Sequence, residues 1–166
     1  MVHGMNLDTG QKTWLTPPWI IHALGEFDLD PCCPPAMPWV TAKKMVCQPA
    51  DGLAIKWKGR VWLNPPYGRD SYPFLDHMRR HGDGIALLFG RTDTAAWQDL
   101  VLPYASGLLL MRGRLRFHHE DGSSAGTANA PSILVAYGDE NVTALANSGI
   151  AGFFMQRHNW QTIGGS

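Results

Sequence analysis

Apolar and polar positions change period several times along the chain, and each change predicts an element. Residues 1–13 show no periodicity and are expected to form an arm. Thr16 then stands before Pro17-Pro18 and the apolar stretch Trp19-Ile20-Ile21-His22-Ala23-Leu24, which predicts a helix capped by Thr16, opened by a proline and ended by Gly25. Phe27-Asp28-Leu29-Asp30 alternates as a short strand expected to stop at Pro31, with residues 31–50 proline-rich and irregular. Residues 59–63 read as a short buried strand entering Asn64. Tyr72, Leu75, Met78 and Arg79 fall at helical spacing and predict a helix over 72–81, stopped by Gly82 and Gly84. The continuous apolar run 84–89 is expected of a strand buried on both faces of a parallel sheet. After it, Thr92 or Asp93 can cap a helix reaching about Leu102. Residues 107–111 and 131–137 form two further strands with no helical segment between them, so they are expected to pair antiparallel.

This order of elements predicts an α/β fold built on an open, mostly parallel sheet with a C-terminal antiparallel hairpin. A chain of 166 residues suits one domain, expected over 14–160 between the arm and a tail at 161–166. Apolar residues make up 45% and charged residues 17%, which excludes general disorder. No apolar run approaches the ~20 residues of a membrane span and no leader pattern opens the chain, so a cytoplasmic protein is expected. Net charge is zero, so any basic surface must be local. Cys32, Cys33 and Cys47 are odd in number and lack the C-x-x-C spacing, which predicts buried free thiols without a disulfide or a zinc site. His118-His119-Glu120-Asp121 lies in Gly-Ser-rich surroundings and reads as a solvated loop, so no metal is expected.

Candidate chemistry lies at three breaks, Asp30-Pro31, Asn64-Pro65-Pro66-Tyr67 and Arg91-Thr92-Asp93. All three fall at expected C-terminal ends of strands, where open α/β sheets bind ligands. The Asn64 side chain offers a carbonyl acceptor, and the following proline holds that residue extended. Together with the Pro65 carbonyl it can accept both hydrogens of a planar amino group, and Tyr67 can stack on the attached ring. Such a site suits an exocyclic amine.

At this point the chain resembles the class I S-adenosylmethionine-dependent amino-methyltransferases, and more closely the phage-type DNA N6-adenine methyltransferases of the Dam family. The likeness runs from Trp14-Leu15-Thr16-Pro17-Pro18 through Phe27-Asp28-Leu29-Asp30-Pro31-Cys32, Asp51-Gly52-Leu53 with Trp57, residues 62–68, Arg91-Thr92-Asp93-Thr94 with Trp97, and Gly113-Arg114 with Phe117. The resemblance implies a shortened Rossmann-like fold, S-adenosyl-L-methionine as cofactor, double-stranded DNA as partner, no metal, and a phage or prophage protein acting in a bacterial cytoplasm. It implies that Asn64, Pro65, Pro66 and Tyr67 form the catalytic loop. Thr16 and Pro17 match the segment holding the methionine end of the cofactor, Asp30, Pro31 and Cys32 its acidic strand end, and Asp51 the contact to its adenine, with Asn64 bordering the same site. The Gly-rich turn usual in larger methyltransferases is absent after Asp30, where Cys33-Pro34-Pro35 stands instead. Few residues remain between Asp30 and Arg60 for the usual extra strands and helices.

A base inside a duplex cannot reach such a site, so the resemblance also implies a flipped adenine stacked on Tyr67. Arg69 and Arg91 are candidate phosphate contacts. Arg112, Arg114 and Arg116 alternate along an expected extended segment, all on one face, with Met111, Leu115 and Phe117 on the other, and can span adjacent phosphates. Two alternatives remain: the same chemistry on an RNA base or a protein glutamine, or a nucleic-acid-binding module without catalysis.

Overall fold

A computed structural model of the protein describes residues 14–48 and 51–163; the expected arm and the last residues of the expected tail lie outside them. The chain orders as α1 (Pro18–Leu24), β1 (Leu29–Cys33), β2 (Lys44–Cys47), β3 (Val61–Leu63), α2 (Tyr72–His81), β4 (Gly84–Phe89), a π-helix (Ala96–Val101), β5 (Gly107–Met111), β6 (Arg116–His118), β7 (Ser124–Thr127), β8 (Ser132–Tyr137), α3 (Asp139–Ala146) and β9 (Gly152–Gln156). Seven strands form one sheet in the order β2-β1-β3-β4-β8-β5-β9, and β6 and β7 form a separate antiparallel pair. β1 pairs in parallel with β2 and β3, and β3 with β4, while β8 runs against both β4 and β5, and β9 against β5. β1 to β5 therefore share one direction, and the sheet is mostly parallel. The fold is mixed α/β, a mostly parallel seven-stranded sheet with a separate antiparallel pair, consistent with the expected shortened Rossmann-like architecture.

Side-chain alternation builds three layers. Val61, Leu63, Ala86, Leu88, Val135 and Tyr137 face Leu75 and Met78 of α2 and Trp97 and Val101 of the π-helix. Trp62, Ile85, Leu87, Leu134 and Ala136 face Ile20, Ile21 and Leu24 of α1 and Val142 and Leu145 of α3. Helices on both faces leave the strand ends as the open edges.

Several expectations need correction. Thr16 does not cap α1: the residue before the helix is Pro17, and no side chain caps it. Neither Thr92 nor Asp93 caps the next helix, whose last turns are widened, with the Leu102 amide donating to the Trp97 carbonyl at 2.9 Å. β1 does not stop at Pro31 but passes through it. Between Asp30 and Cys33 the register against β2 shifts by one residue, a bulge that absorbs a proline unable to donate to the ladder. Within the stretch expected to be irregular, β2 forms and joins β1 through a Cys33–Cys47 disulfide, against the expectation of free thiols; only Cys32 is free. Spacing along the sequence could not show this, because strand register is what sets the two cysteines opposite each other.

Segment 111–117 is not one extended strand either. It turns at Gly113, whose φ of +77° falls where L side chains are strained, between the end of β5 and the start of β6. Arg112, Arg114 and Arg116 are nonetheless all exposed, and Leu115 and Phe117 buried.

Candidate active site

Of the three breaks read from the sequence, Asn64 and Arg91 follow the C-terminal ends of β3 and β4, whereas Asp30-Pro31 lies within β1; the three strands are neighbours in the sheet. At the β1 end the polar groups turn inward. Asp30 is only 4% exposed; its Oδ1 accepts the Cys32 amide at 3.0 Å and its Oδ2 accepts the Thr41 hydroxyl. The Cys32 amide within the bulge is thereby paired. Burial pushes the Asp30 carboxyl up to about 6, against the two hydrogen bonds that favour its charge. Burial, with the Asp30 charge beside it, also pushes the Cys32 thiol up to about 12.

Asp51 sits above this end. A Cβ on the next residue, Gly52, would lie 1.8 Å from the Pro31 carbonyl oxygen, so only glycine lets that backbone rest on Pro31. The Trp57 indole donates to the Gly52 carbonyl at 2.8 Å and fixes the shelf, while stacked on His77 of α2 at 4.3 Å. Asp51 itself is exposed, with Oδ1 accepting the Leu53 amide at 2.8 Å.

At the β3 end the arrangement is reversed. Asn64 Nδ2 donates to the Trp14 carbonyl at 3.0 Å and to Thr16 Oγ1 at 3.2 Å. A backbone carbonyl can only accept, so the amide nitrogen must face Trp14, and Oδ1 is left without a partner among the described residues. A crevice lined by Trp14, Cys32, Pro34, Asn64, Pro66 and Tyr67 joins the β1 and β3 ends. Tyr67 lies flat on Phe89, at the end of β4, with ring centroids 4.7 Å apart and planes 8° apart. Phe89 meets Phe117 edge-on at 6.1 Å, and Phe117 meets Trp14 at 6.2 Å. The Tyr67 hydroxyl is buried without a partner among the described residues, and burial raises its pKa.

Basic side chains divide in two. Arg60, Arg79, Arg80 and Arg157 are engaged with carboxylates, carbonyls, an amide or rings. Arg69, Arg91, Arg112, Arg114 and Arg116 are exposed, and no side-chain partner holds them among the described residues. Arg69 follows β3, Arg91 follows β4 and Arg112 follows β5, three strands of one direction, so these arginines gather at the crevice edge of the sheet. A larger cavity of about 470 Å³ opens near the start of β1 and β2, lined by Lys44, Ile55, Lys56 and Lys58, and contains none of the candidate residues. No group of three His, Cys, Asp or Glu suited to a metal occurs among the described residues.

A family model described as DNA N-6-adenine-methyltransferase (Dam) matches residues 5–148. The chain belongs to that family. No curated protein and no solved structure matches it. Membership of the Dam family makes the protein a DNA adenine methyltransferase, and an unpartnered acceptor beside an aromatic platform at the end of β3 suits chemistry on a base amine. Thr41 and Phe89 escaped the sequence reading of this Dam-family site. Phe89 sits at the end of a legible strand, but the Thr41 bond to Asp30 spans an irregular loop and leaves no local signal.

Proposed function

We propose that the protein transfers a methyl group from S-adenosyl-L-methionine to N6 of an adenine flipped out of duplex DNA. The observation that carries this reading is the Asn64 amide, whose nitrogen is held by Trp14 and Thr16 so that its oxygen is free to accept. Asn64 Oδ1 and the Pro65 carbonyl accept the two N6 hydrogens and turn the nitrogen lone pair out of conjugation with the ring. Tyr67, backed by Phe89, offers its ring to the flipped base.

Cys32, Pro34 and Asn64 line the crevice beside the acceptor amide, and the exposed Asp51 carboxylate on the Gly52 shelf is available to a nucleoside, which supports a cofactor at this place. When bound, S-adenosyl-L-methionine supplies an electrophilic methyl group. Pro17, Pro31 and Cys32 would border it, Thr16 would belong to the same segment but give its hydroxyl to the Asn64 amide, and Asp30 would act through the bulge it stabilises. Holding amine and methyl group in line supplies much of the acceleration. Arg69, Arg91, Arg112, Arg114 and Arg116 would neutralise phosphates around the flipped base.

Transfer of labelled methyl groups from S-adenosyl-L-methionine to duplex DNA, RNA and protein lysate tests this reading. Labelled adenine in DNA is expected. Label confined to RNA or to glutamine would move the same chemistry to another acceptor, and no label anywhere would leave a binding module.

A further inference from the structure

The segment 14–16 borders the crevice through Trp14 and is held from two sides. On one side, the Leu15 amide donates to the His118 carbonyl at 3.0 Å and the His118 amide donates back to the Leu15 carbonyl at 3.1 Å, a bridge that ties the segment to β6. On the other, the Trp14 carbonyl and Thr16 hydroxyl take the Asn64 amide. Leu15 and Thr16 are 1% and 2% exposed, so this strap has little freedom to shift. Thr16 makes no helix cap that would otherwise explain its hydroxyl.

We infer that Thr16 is a positioning residue for the acceptor amine: it fixes the rotation of the Asn64 amide so that Oδ1, rather than Nδ2, meets N6. This rests on the proposed methyl transfer. An Asn amide can turn over by 180° at little steric cost, because its oxygen and nitrogen are nearly the same size. In the wrong orientation it presents two donors to an amine that itself must donate. The Trp14 carbonyl selects the productive orientation on one side, and the Thr16 oxygen takes the second amide hydrogen. Removing that oxygen leaves a half-buried N–H without a partner and lets the amide turn. The bridge at Leu15 gives the strap a reference outside the loop it orients: the β6–β7 hairpin, whose first residue is the exposed Arg116.

The test is steady-state kinetics and cofactor calorimetry on Thr16→Val and Thr16→Ser. Thr16→Val keeps the side-chain shape and loses the oxygen; it is expected to lower kcat about tenfold, the size of one hydrogen bond. KM for the acceptor and Kd for S-adenosyl-L-methionine should stay within about twofold, since a uniform binding loss would instead move KM. Thr16→Ser, which restores the hydroxyl, should recover most of kcat. In an Asn64→Ala background, Thr16→Val should cost nothing further, because the group it positions is gone. Slow exchange of the Asn64 side-chain amide protons, lost in Thr16→Val, gives a readout independent of activity.

Wild-type kcat in Thr16→Val overturns the inference. So does a loss of cofactor affinity at unchanged kcat, which would make Thr16 a cofactor contact, or a further full loss in the Asn64→Ala background. If Thr16→Val does not fold, Thr16→Ala takes its place under the same criteria. Should the wild type methylate RNA or protein rather than DNA, the DNA reading fails while the same series on that acceptor still decides the role of Thr16.

Discussion

Two neighbouring strands carry the same kind of sequence, a polar amide or acid followed by proline, one within its span and one just past its end, and they do opposite things with it. Within β1, Asp30-Pro31 opens a bulge, and both carboxylate oxygens are consumed inside the protein. At the end of β3, Asn64-Pro65-Pro66 leaves the strand, and the side-chain nitrogen is consumed while the oxygen stays free. The difference comes from what stands opposite. Asp30 meets donors, the Cys32 amide and the Thr41 hydroxyl, whereas Asn64 meets acceptors, the Trp14 carbonyl and the Thr16 oxygen. A motif at a strand end therefore tells where polar chemistry can occur, and the partners tell whether it faces the ligand or the fold.

The largest expected effect is at Asn64. Asn64→Ala should lower methyl transfer by about 10³-fold, comparable to the loss of one preorganised hydrogen-bonding group, while cofactor affinity stays within a few-fold. Turnover near wild type, measured with labelled cofactor, would remove Asn64 from the chemistry and collapse the contrast.

Asp30 should respond in stability instead. Its folded pKa of about 6 lies above an ordinary 3.8, so the folded protein holds a proton that the unfolded chain has released across that window. Stability that Asp30 contributes is thus fully present below pH 3.8 and is lost as pH rises through about 6, by about 3 kcal/mol at most. Asp30→Asn keeps an acceptor for Cys32 and removes the charge. Urea unfolding should show the variant gaining on the wild type between pH 4 and pH 7, with cofactor affinity within a few-fold, whereas Asp30→Ala, which removes the turn, should bind cofactor poorly. A flat difference with pH, or a large affinity loss in Asp30→Asn, would put the carboxylate on the ligand side.

Tyr67 sharpens the comparison at the β3 end, because its hydroxyl is buried without a partner among the described residues while its ring rests on Phe89. Tyr67→Phe should retain turnover and gain up to about 1 kcal/mol of stability by removing an unsatisfied group, and Tyr67→Ala should lose turnover with the stacking surface. Equal inactivity of the two variants would instead point to a hydrogen bond from the hydroxyl to the substrate. A smaller effect belongs to the basic edge. Replacing Arg112 and Arg116 with Gln should weaken binding to target and non-target DNA alike and reduce the salt slope by about two units, with cofactor affinity unchanged. An unchanged slope would leave these arginines as a solvated surface.

How much of this was legible depends on where each element finds its partners. The strands 84–89 and 107–111 and the helix 72–81 carry their own pattern, continuous apolar runs or a helical stripe closed by glycine, and the structure has them at those residues. β2, β9 and the β6–β7 pair went unread because they are short and half exposed, with stability that comes from a neighbour rather than from their own residues. α3 was missed after Tyr137, where Asp139 and Glu140 open a helix with a weak apolar stripe. For the proposed site, Asn64, Tyr67 and the five arginines are candidates that residue type and position suggest. The direction in which the Asn64 amide points is not legible in this way, since it depends on Trp14 and Thr16, some fifty residues away.

The most direct measurement is a crystal structure of the protein with a DNA duplex carrying its target adenine and the demethylated cofactor. The adenine is expected outside the helix on Tyr67, its N6 about 3 Å from Asn64 Oδ1, with Asn64 Nδ2 still on the Trp14 carbonyl. An adenine left in the stack, or an N6 that meets Asp30 instead of Asn64, would contradict the proposed function.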